Sequence, residues 1–211
     1  MKTITRYIAV ILILSMMFGI AGCSAKVRIS HKRACEAFDK FGAEKLDDAQ
    51  DLVRKVANLH IYGGSYYYTT DDEDEAIFIV ENIIVHADQH PDGDYQACTY
   101  FSYQSEDSET LAIIFVITFG DEKNAAEWFN KKSSNLQNSN EYNCNSGSTS
   151  GIEYAFFTKD DVPIMTGFYK QGNTVLEIHA AAPETSGLKP YEGIIKDMGL
   201  ISPLGAEQTD T

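Results

Sequence analysis

The chain has 211 residues and carries 17 Lys and Arg against 31 Asp and Glu, a net charge of −14 at pH 7. That balance speaks against nucleic acid as a partner, because phosphate binding rests on clustered Lys and Arg. The length suits one domain with a core large enough to need no disulfide or metal staple.

The first segment is an address. Lys2 and Arg6 precede residues 7–20, a fourteen-residue apolar run without charge, and Ala21 and Gly22 then lead to Cys23. A membrane-spanning helix needs about 20 apolar residues, so the run fits a cleaved leader better than a span. With Ile20-Ala21-Gly22-Cys23 in place of a lipobox, residues 1–23 resemble the signal of a bacterial lipoprotein, although such leaders commonly carry Leu where Ile20 stands. The resemblance implies that residues 1–22 are removed and that the Cys23 sulfur carries a diacylglycerol. An ordinary secretory leader cut nearby is the plainer alternative. The leader holds two of the 17 basic residues and none of the 31 acidic ones, which leaves the mature chain at −16.

Residues 23–30 read as a tether. Lys26, Arg28, Lys32 and Arg33 fall within eight residues of each other, ahead of every acidic residue. They suit either contact with anionic head groups, at about 1 kcal/mol per charge near the surface, or plain solvation of a linker and helix start. Eight residues from Cys23 to His31 span at most about 28 Å, which holds the folded part close to the bilayer.

Ser30 is placed to cap a helix whose apolar positions are Ala34, Phe38 and Phe41, with Gly42 as its stop. Leu46, Ala49, Leu52, Val53 and Val56 repeat at helical spacing, so 44–58 reads as a second amphipathic helix. Segments 66–70 and 76–85 are rich in aromatic and β-branched residues and flank Asp71-Asp72-Glu73-Asp74-Glu75, which predicts a hairpin with an acidic loop. A second pair, 97–104 and 110–119, surrounds Ser105-Glu106-Asp107-Ser108. Residues 111–117 are apolar on both faces and predict a central strand covered on both sides.

Asp121 is placed to cap a helix to about Lys132 bearing Ala125, Trp128 and Phe129, and 133–150 reads as a long Asn- and Ser-rich loop, either functional or mobile. A meander of 152–158, 164–170 and 174–180 follows, then a helix over 188–198. The fold class is thus α+β. We expect one largely antiparallel sheet of about seven strands with helices near 31–57, 121–132 and 188–198 packed on one face, a single domain over 31–203, and a polar tail over 204–211. A helix–hairpin unit beginning at Glu44-Lys45 and running to Tyr67-Tyr68-Thr69-Thr70 parallels one running from Glu122-Lys123 to Phe156-Phe157-Thr158, so an internal duplication competes with chance similarity.

Candidate sites are sparse. His86, Asp88 and His90 would point the same way on an extended strand and suit a transition metal such as zinc, while a solvated loop ending in Pro91-Asp92-Gly93 explains them more simply. Read as a calcium loop, Asp88 onward lacks an oxygen ligand at position three and a Glu at position twelve. Tyr66, Tyr67 and Tyr68 offer amphipathic rings for a peptide or sugar, or else pack a sheet. The acidic run 71–75 suits a cation or a basic partner, or simply faces water. His179 fits a base paired with a carboxylate, or a strand histidine with a satisfied hydrogen bond.

Gly147-Ser148-Thr149-Ser150-Gly151 imitates a nucleophile elbow only if Thr149 replaces serine, and no P-loop, GxSxG, HExxH or dinucleotide fingerprint occurs, so no cofactor is expected. Of the remaining cysteines, Cys35 lies among apolar helix positions and Cys144 in a polar segment, with a Cys98–Cys144 bridge as one option. The sequence therefore reads as a lipid-anchored extracytoplasmic lipoprotein with an acidic binding or scaffolding domain. Its partners would be the bilayer, through Cys23, and an envelope protein or polymer. The rival is an anchored metal-binding protein or hydrolytic enzyme using His86, Asp88 and His90.

Overall fold

Ser30 opens the first helix, α1 (His31–Phe41): its hydroxyl accepts the Arg33 N–H at 3.3 Å. Gly42 ends it at φ +90°, and its N–H reaches the carbonyls of Phe38 and Asp39. The computed structural model describes residues 28–84, 94–139, 141–159 and 161–204. A Cβ at Gly42 would meet nothing within 4 Å, so a substitution there carries backbone strain alone. Gly42→Ala should lower stability by about 1 kcal/mol, seen as a lower urea midpoint with an unchanged slope; an unmoved midpoint would mean that the left-handed stop is not needed.

Strand β1 (Glu44–Lys45) precedes α2 (Ala49–Tyr62), whose cap is the Asp48 carboxylate, and β2 (Gly64–Thr70) follows. The expected hairpin of 66–70 with 76–85 does not form. Asp72 caps a helix instead, α3 (Glu73–Ile79), which runs into a π-helical turn over Val80–Ile84. Glu73, Asp74 and Glu75 occupy its first turn, where carboxylates favour a helix N-terminus, and Ala76, Ile79 and Val80 are buried at i, i+3 and i+4. The pairing partner of β2 is β3 (Tyr95–Gln104), and β3 turns into β4 (Leu111–Phe119).

Asp121 caps α4 (Glu122–Gln137), which runs a turn past the expected end. The segment expected as a loop then holds β5 (Asn143–Thr149), an exposed edge strand whose Asn, Ser and Gly residues leave no apolar alternation to read. The expected meander follows as β6 (Ile152–Thr158), β7 (Ile164–Gln171) and β8 (Thr174–Ala181), and a 3₁₀ turn over Thr185–Leu188 leads into α5 (Lys189–Asp197).

The fold is α+β, with five α-helices among the described residues and one eight-stranded sheet in the order β1-β2-β3-β4-β8-β7-β6-β5. The sheet is mixed because β1 and β2 run parallel; every other pair is antiparallel. Of the seven expected strands 76–85 is lost to helix, and the short or polar edges β1 and β5 add two, which gives eight.

Helices cover both faces, not one. Alternate residues of each strand point to opposite sides: Tyr67, Phe101, Ile114, Ile178 and Phe156 join α1 and α5 in one core, while Tyr68, Tyr100, Phe115, Phe168 and Phe157 join α2, α3 and α4 in the other. Strand β4 is central and apolar on both sides, as its composition predicts. No helix among the described residues is long and apolar enough to cross a membrane.

The order of strands is symmetric about the β4–β8 pair. In one half α2 leads into β2-β3-β4, and in the other α4 leads into β6-β7-β8, so the recurring unit is a helix with three strands rather than a helix with a hairpin. The correspondence is partial, since α3 interrupts one half and β5 adds to the other, and Glu44-Lys45 forms a strand where Glu122-Lys123 opens a helix.

Cys98 lies buried on β3 and Cys144 exposed on β5, both as free thiols. Five strand spacings separate β3 from β5, about 24 Å at the usual 4.8 Å each, far beyond the roughly 7 Å limit for a disulfide.

Candidate functional site

Two residues apart on β8, Glu177 and His179 point to the same face of the sheet. Across the ladder Glu177 lies between Phe115 of β4 and Phe168 of β7, and His179 between Ile113 and Thr166. Helix α4 crosses above them and brings in Trp128, on the apolar stripe with Ala125 and Phe129. The helix is held there by Lys170, whose buried ammonium sits 2.8 Å from Glu153 and 3.5 Å from Glu122.

The Glu177 carboxylate is only 2% exposed, and both its oxygens are used. Trp128 Nε1–H donates to Oε1, and His179 Nε2 lies 3.2 Å from Oε2. Because a carboxylate only accepts, this pairing places the imidazole proton on Nε2 and leaves the Nδ1 lone pair free for the Thr166 hydroxyl at 3.4 Å. The imidazole packs edge-on against Phe168, with ring centres 5.6 Å apart, and its side chain is 41% exposed at the mouth of a notch of about 110 Å³. Ile83, Ile84, Ile113 and Phe115 wall the notch, and Lys132 stands beside it with its ammonium 5.0 Å from the Trp128 ring centre.

The sequence Glu177, His179, Thr166 has the order of a carboxylate, imidazole and hydroxyl relay. Thr166 is 5% exposed, however, so no acyl group can reach its oxygen without displacing the side chains that cover that face of the sheet. What the notch presents to solvent is the imidazole edge, the Lys132 ammonium and an apolar wall. Pockets for drug-sized ligands measure roughly 300–1,000 Å³, so this one fits a small polar group.

A second polar cluster lies at the end of the other face. His31, the first residue of α1, places Nδ1 2.8 Å from Thr99 Oγ1 and Nε2 3.0 Å from Thr118 Oγ1, and Thr69 lies 2.7 Å from Thr99. Burial lowers the imidazole pKa to about 4, against a smaller upward pull from Asp71. Cys35, one turn along α1, contacts the Thr69 and Thr99 hydroxyls, and burial pushes its thiol up. A reactive cysteine needs the opposite arrangement, a thiolate beside a protonated imidazole, so this cluster is a neutral hydroxyl network.

The tyrosine triplet is split by the pleat. Tyr67 is buried on the α1 face with its hydroxyl donating to Asp39, and Tyr68 is buried on the other face with its hydroxyl 2.6 Å from Glu75. Burial and the Glu75 carboxylate push the Tyr68 phenol up to about 12. The three do not form a continuous recognition surface. Only Tyr66 borders an open cleft, of about 290 Å³, with Arg54, Lys55 and Asn58, and Lys55 lies 4.5 Å over its ring.

Within the acidic run Asp72 and Glu75 serve α3, by capping and by accepting from Tyr68 and Thr70, while Asp74 and Glu75 border a groove of about 350 Å³ shared with Asp48 and Phe78. His86, Asp88 and His90 lie outside the described residues, as does Cys23. Among the described residues no group of three or more His, Cys, Asp or Glu could hold a metal. Of the basic residues near the tether, Arg33 donates to the Met198 carbonyl at 3.2 Å, and Lys32 is exposed, 3.8 Å from Glu36.

No protein-family model matches the chain, and no curated protein matches it. Among solved structures it is similar to the crystal structure of the extracellular domain of PknH from Mycobacterium tuberculosis. The two share 11% identity over 81% of this chain and 97% of that one, with a TM-score of 0.37.

The sequence leaves His179 open between two roles and does not identify its partners. The i, i+2 spacing to Glu177 was a usable signal, since two polar residues on one face of an apolar strand must share a polar environment. Trp128 carried no such signal, because the helix–sheet contact that delivers it is tertiary. His31 carries no local signal either, because Thr99 and Thr118 reach it from strands distant in sequence.

Proposed function

We propose that the chain is a bacterial lipoprotein, anchored through lipidated Cys23, whose acidic extracytoplasmic domain binds a partner close to the membrane. The observation that carries this reading is Ile20-Ala21-Gly22-Cys23 behind the apolar run 7–20. The start of the fold supports it. Ile29 is already buried, with its N–H 3.0 Å from Gln171 Oε1, so five residues lie between Cys23 and the domain, and the six steps from Cys23 to Ile29 reach at most about 21 Å. In this reading residues 1–22 are the leader and the tether begins at Cys23.

Binding is a better fit to the geometry than hydrolysis, because the most elaborated polar site keeps its hydroxyl buried and exposes an imidazole, an ammonium and an apolar wall. The notch at Glu177 and His179 is the ligand contact in this reading, and an envelope protein or polymer the partner.

Labelling cells with radioactive palmitate tests the anchor. Full-length chain should incorporate label and sediment with membranes, and Cys23→Ala should lose both; labelled Cys23→Ala protein would sink the anchor. Envelope cross-linking and pull-down tests the binding reading, which fails if nothing is enriched over a control domain anchored through the same leader.

A further inference from the structure

The notch over β4 and β8 lies where the two halves of the fold meet. Ile83 and Ile84 reach it from one half, and Lys132 reaches it from α4 of the other. Both isoleucines stand on the π-helical turn Val80–Ile84, a helix form that is rare and concentrated at functional sites. Ile113 and Phe115 make the floor. His179 and Glu177 flank them on β8, and Tyr100 lies beside Phe115 on β3.

Two donors that border this notch are unspent. Tyr100 is 1% exposed, yet its hydroxyl has no hydrogen-bond partner among the described residues, whereas the buried Tyr67, Tyr68 and Tyr169 each donate to an oxygen. A buried hydroxyl is ordinarily paired, so an orphan beside a cavity points to a ligand. The Lys132 ammonium pairs with no carboxylate among the described residues and rests over the Trp128 ring. The acceptors, by contrast, are already used. Both Glu177 oxygens serve Trp128 and His179, and His179 Nδ1 faces the Thr166 hydroxyl.

We infer, resting on the notch as the ligand contact of this domain, that it binds a carboxylate carried on a short apolar group. Lys132 and Tyr100 donate to the carboxylate, and Ile83, Ile84 and Ile113 pack the apolar part. Charge and lining select this class. An amine finds no open acceptor, because Glu177 is 2% exposed and fully paired, and Lys132 repels it. A phosphate would set a more strongly hydrated charge against isoleucine walls and the Glu177 carboxylate beneath, with no guanidinium to grip it. A monoanion with an alkyl group matches both the ammonium and the wall. Two sources supply such a group, a free short-chain acid and the last residue of a peptide chain.

The test uses the full chain purified in detergent with labelled isoleucine methyls, titrated with propionate and with N-acetylalanine and followed by NMR. Saturable shifts at Ile83, Ile84 and Ile113 are expected with at least one acid, and whichever binds more tightly names the source. The matching amides, propionamide and N-acetylalanine amide, lose only the charge and should bind about tenfold more weakly. Lys132→Gln and Tyr100→Phe should each weaken acid binding by about tenfold as well. Tyr100→Phe should do so at an unchanged melting temperature, because the hydroxyl it removes has no partner in the fold. The absence of saturable shifts with either acid, equal binding of acid and amide, or full affinity in either variant would overturn the proposal. An envelope pull-down that still enriches a partner would then leave the binding reading standing. Acid binding without any enrichment supports the carboxylate site and counts against a macromolecular partner alone.

Discussion

Trp128→Phe is expected to lower the unfolding free energy by about 3 kcal/mol, more than the loss of ring volume accounts for. Phenylalanine keeps most of the contacts to Tyr95, Phe115 and Phe119 in that core but removes the Nε1–H that serves Glu177. One oxygen of a carboxylate 2% exposed is then left without a donor, and an unpaired buried charge is among the costliest defects a fold can carry. The second substitution separates the two contributions. Glu177→Gln alone should cost about 1 kcal/mol, because the amide oxygen still accepts from Trp128 and the imidazole can exchange tautomers to accept from the amide nitrogen. In the Trp128→Phe background the same change should be neutral or stabilising, since a neutral amide tolerates the missing donor better. Urea unfolding of the four proteins gives the coupling directly. If the two costs add to within about 0.5 kcal/mol, the indole and the carboxylate are independent and this account of the site is wrong.

The parts of the fold that could be read in advance share a physical cause. Residues 111–117, apolar on both faces, had to be a strand covered on both sides, and β4 is the centre of the sheet. The same fact conflicts with helices on one face only, and the structure resolves it by placing α1 and α5 opposite α2, α3 and α4. The meander β6-β7-β8 was legible because turn residues punctuate its alternating segments. Residues 76–85 were not, because a short apolar run has no decisive period. There the decision lay with Asp72 and the three carboxylates after it, a helix start that also resembles a hairpin loop. Strand β5 was invisible for a different reason: backbone bonds to β6 set its place in the sheet, and its side chains are nearly all exposed.

The site divides in the same way. Glu177 and His179 share a strand, and their spacing could have linked them, whereas Trp128, Lys132, Ile83 and Ile84 arrive from α4 and the π-helical turn, which no local pattern connects to β8. The tyrosine triplet failed as a surface because three consecutive strand residues cannot share a face. Tyr67 and Tyr68 feed opposite cores, and their hydroxyls reach Asp39 and Glu75 at the rims.

His31 makes the fold sensitive to mild acid. Its pKa falls from 6.5 to about 4 because burial among Thr69, Thr99 and Thr118 disfavours the charged imidazole, only partly offset by Asp71. Between those values the unfolded chain binds a proton that the folded chain does not, so stability rises with pH across this window. The contribution is complete above about pH 6.5 and is lost progressively as pH falls toward 4. At 1.36 kcal/mol per unit the window is worth about 3 kcal/mol. Carboxylates with lowered pKa, such as Glu192 beside Lys196, act in the same direction but lower on the pH scale, below their ordinary value of 4.5. Among the described residues the interval from 6.5 to 4.5 therefore belongs chiefly to His31. Urea unfolding at a series of pH values should show wild type losing stability over that interval, and His31→Gln should flatten the slope whatever its effect on stability at pH 7. An equal slope in the two proteins would place the acid sensitivity elsewhere. The consequence is local as well as global: His31 is the first residue of α1 and lies two residues from Ile29, where the chain enters the domain. Acid should loosen the fold first at the end that faces the tether, and amide exchange in 30–38 should accelerate at pH 5 ahead of exchange in β4.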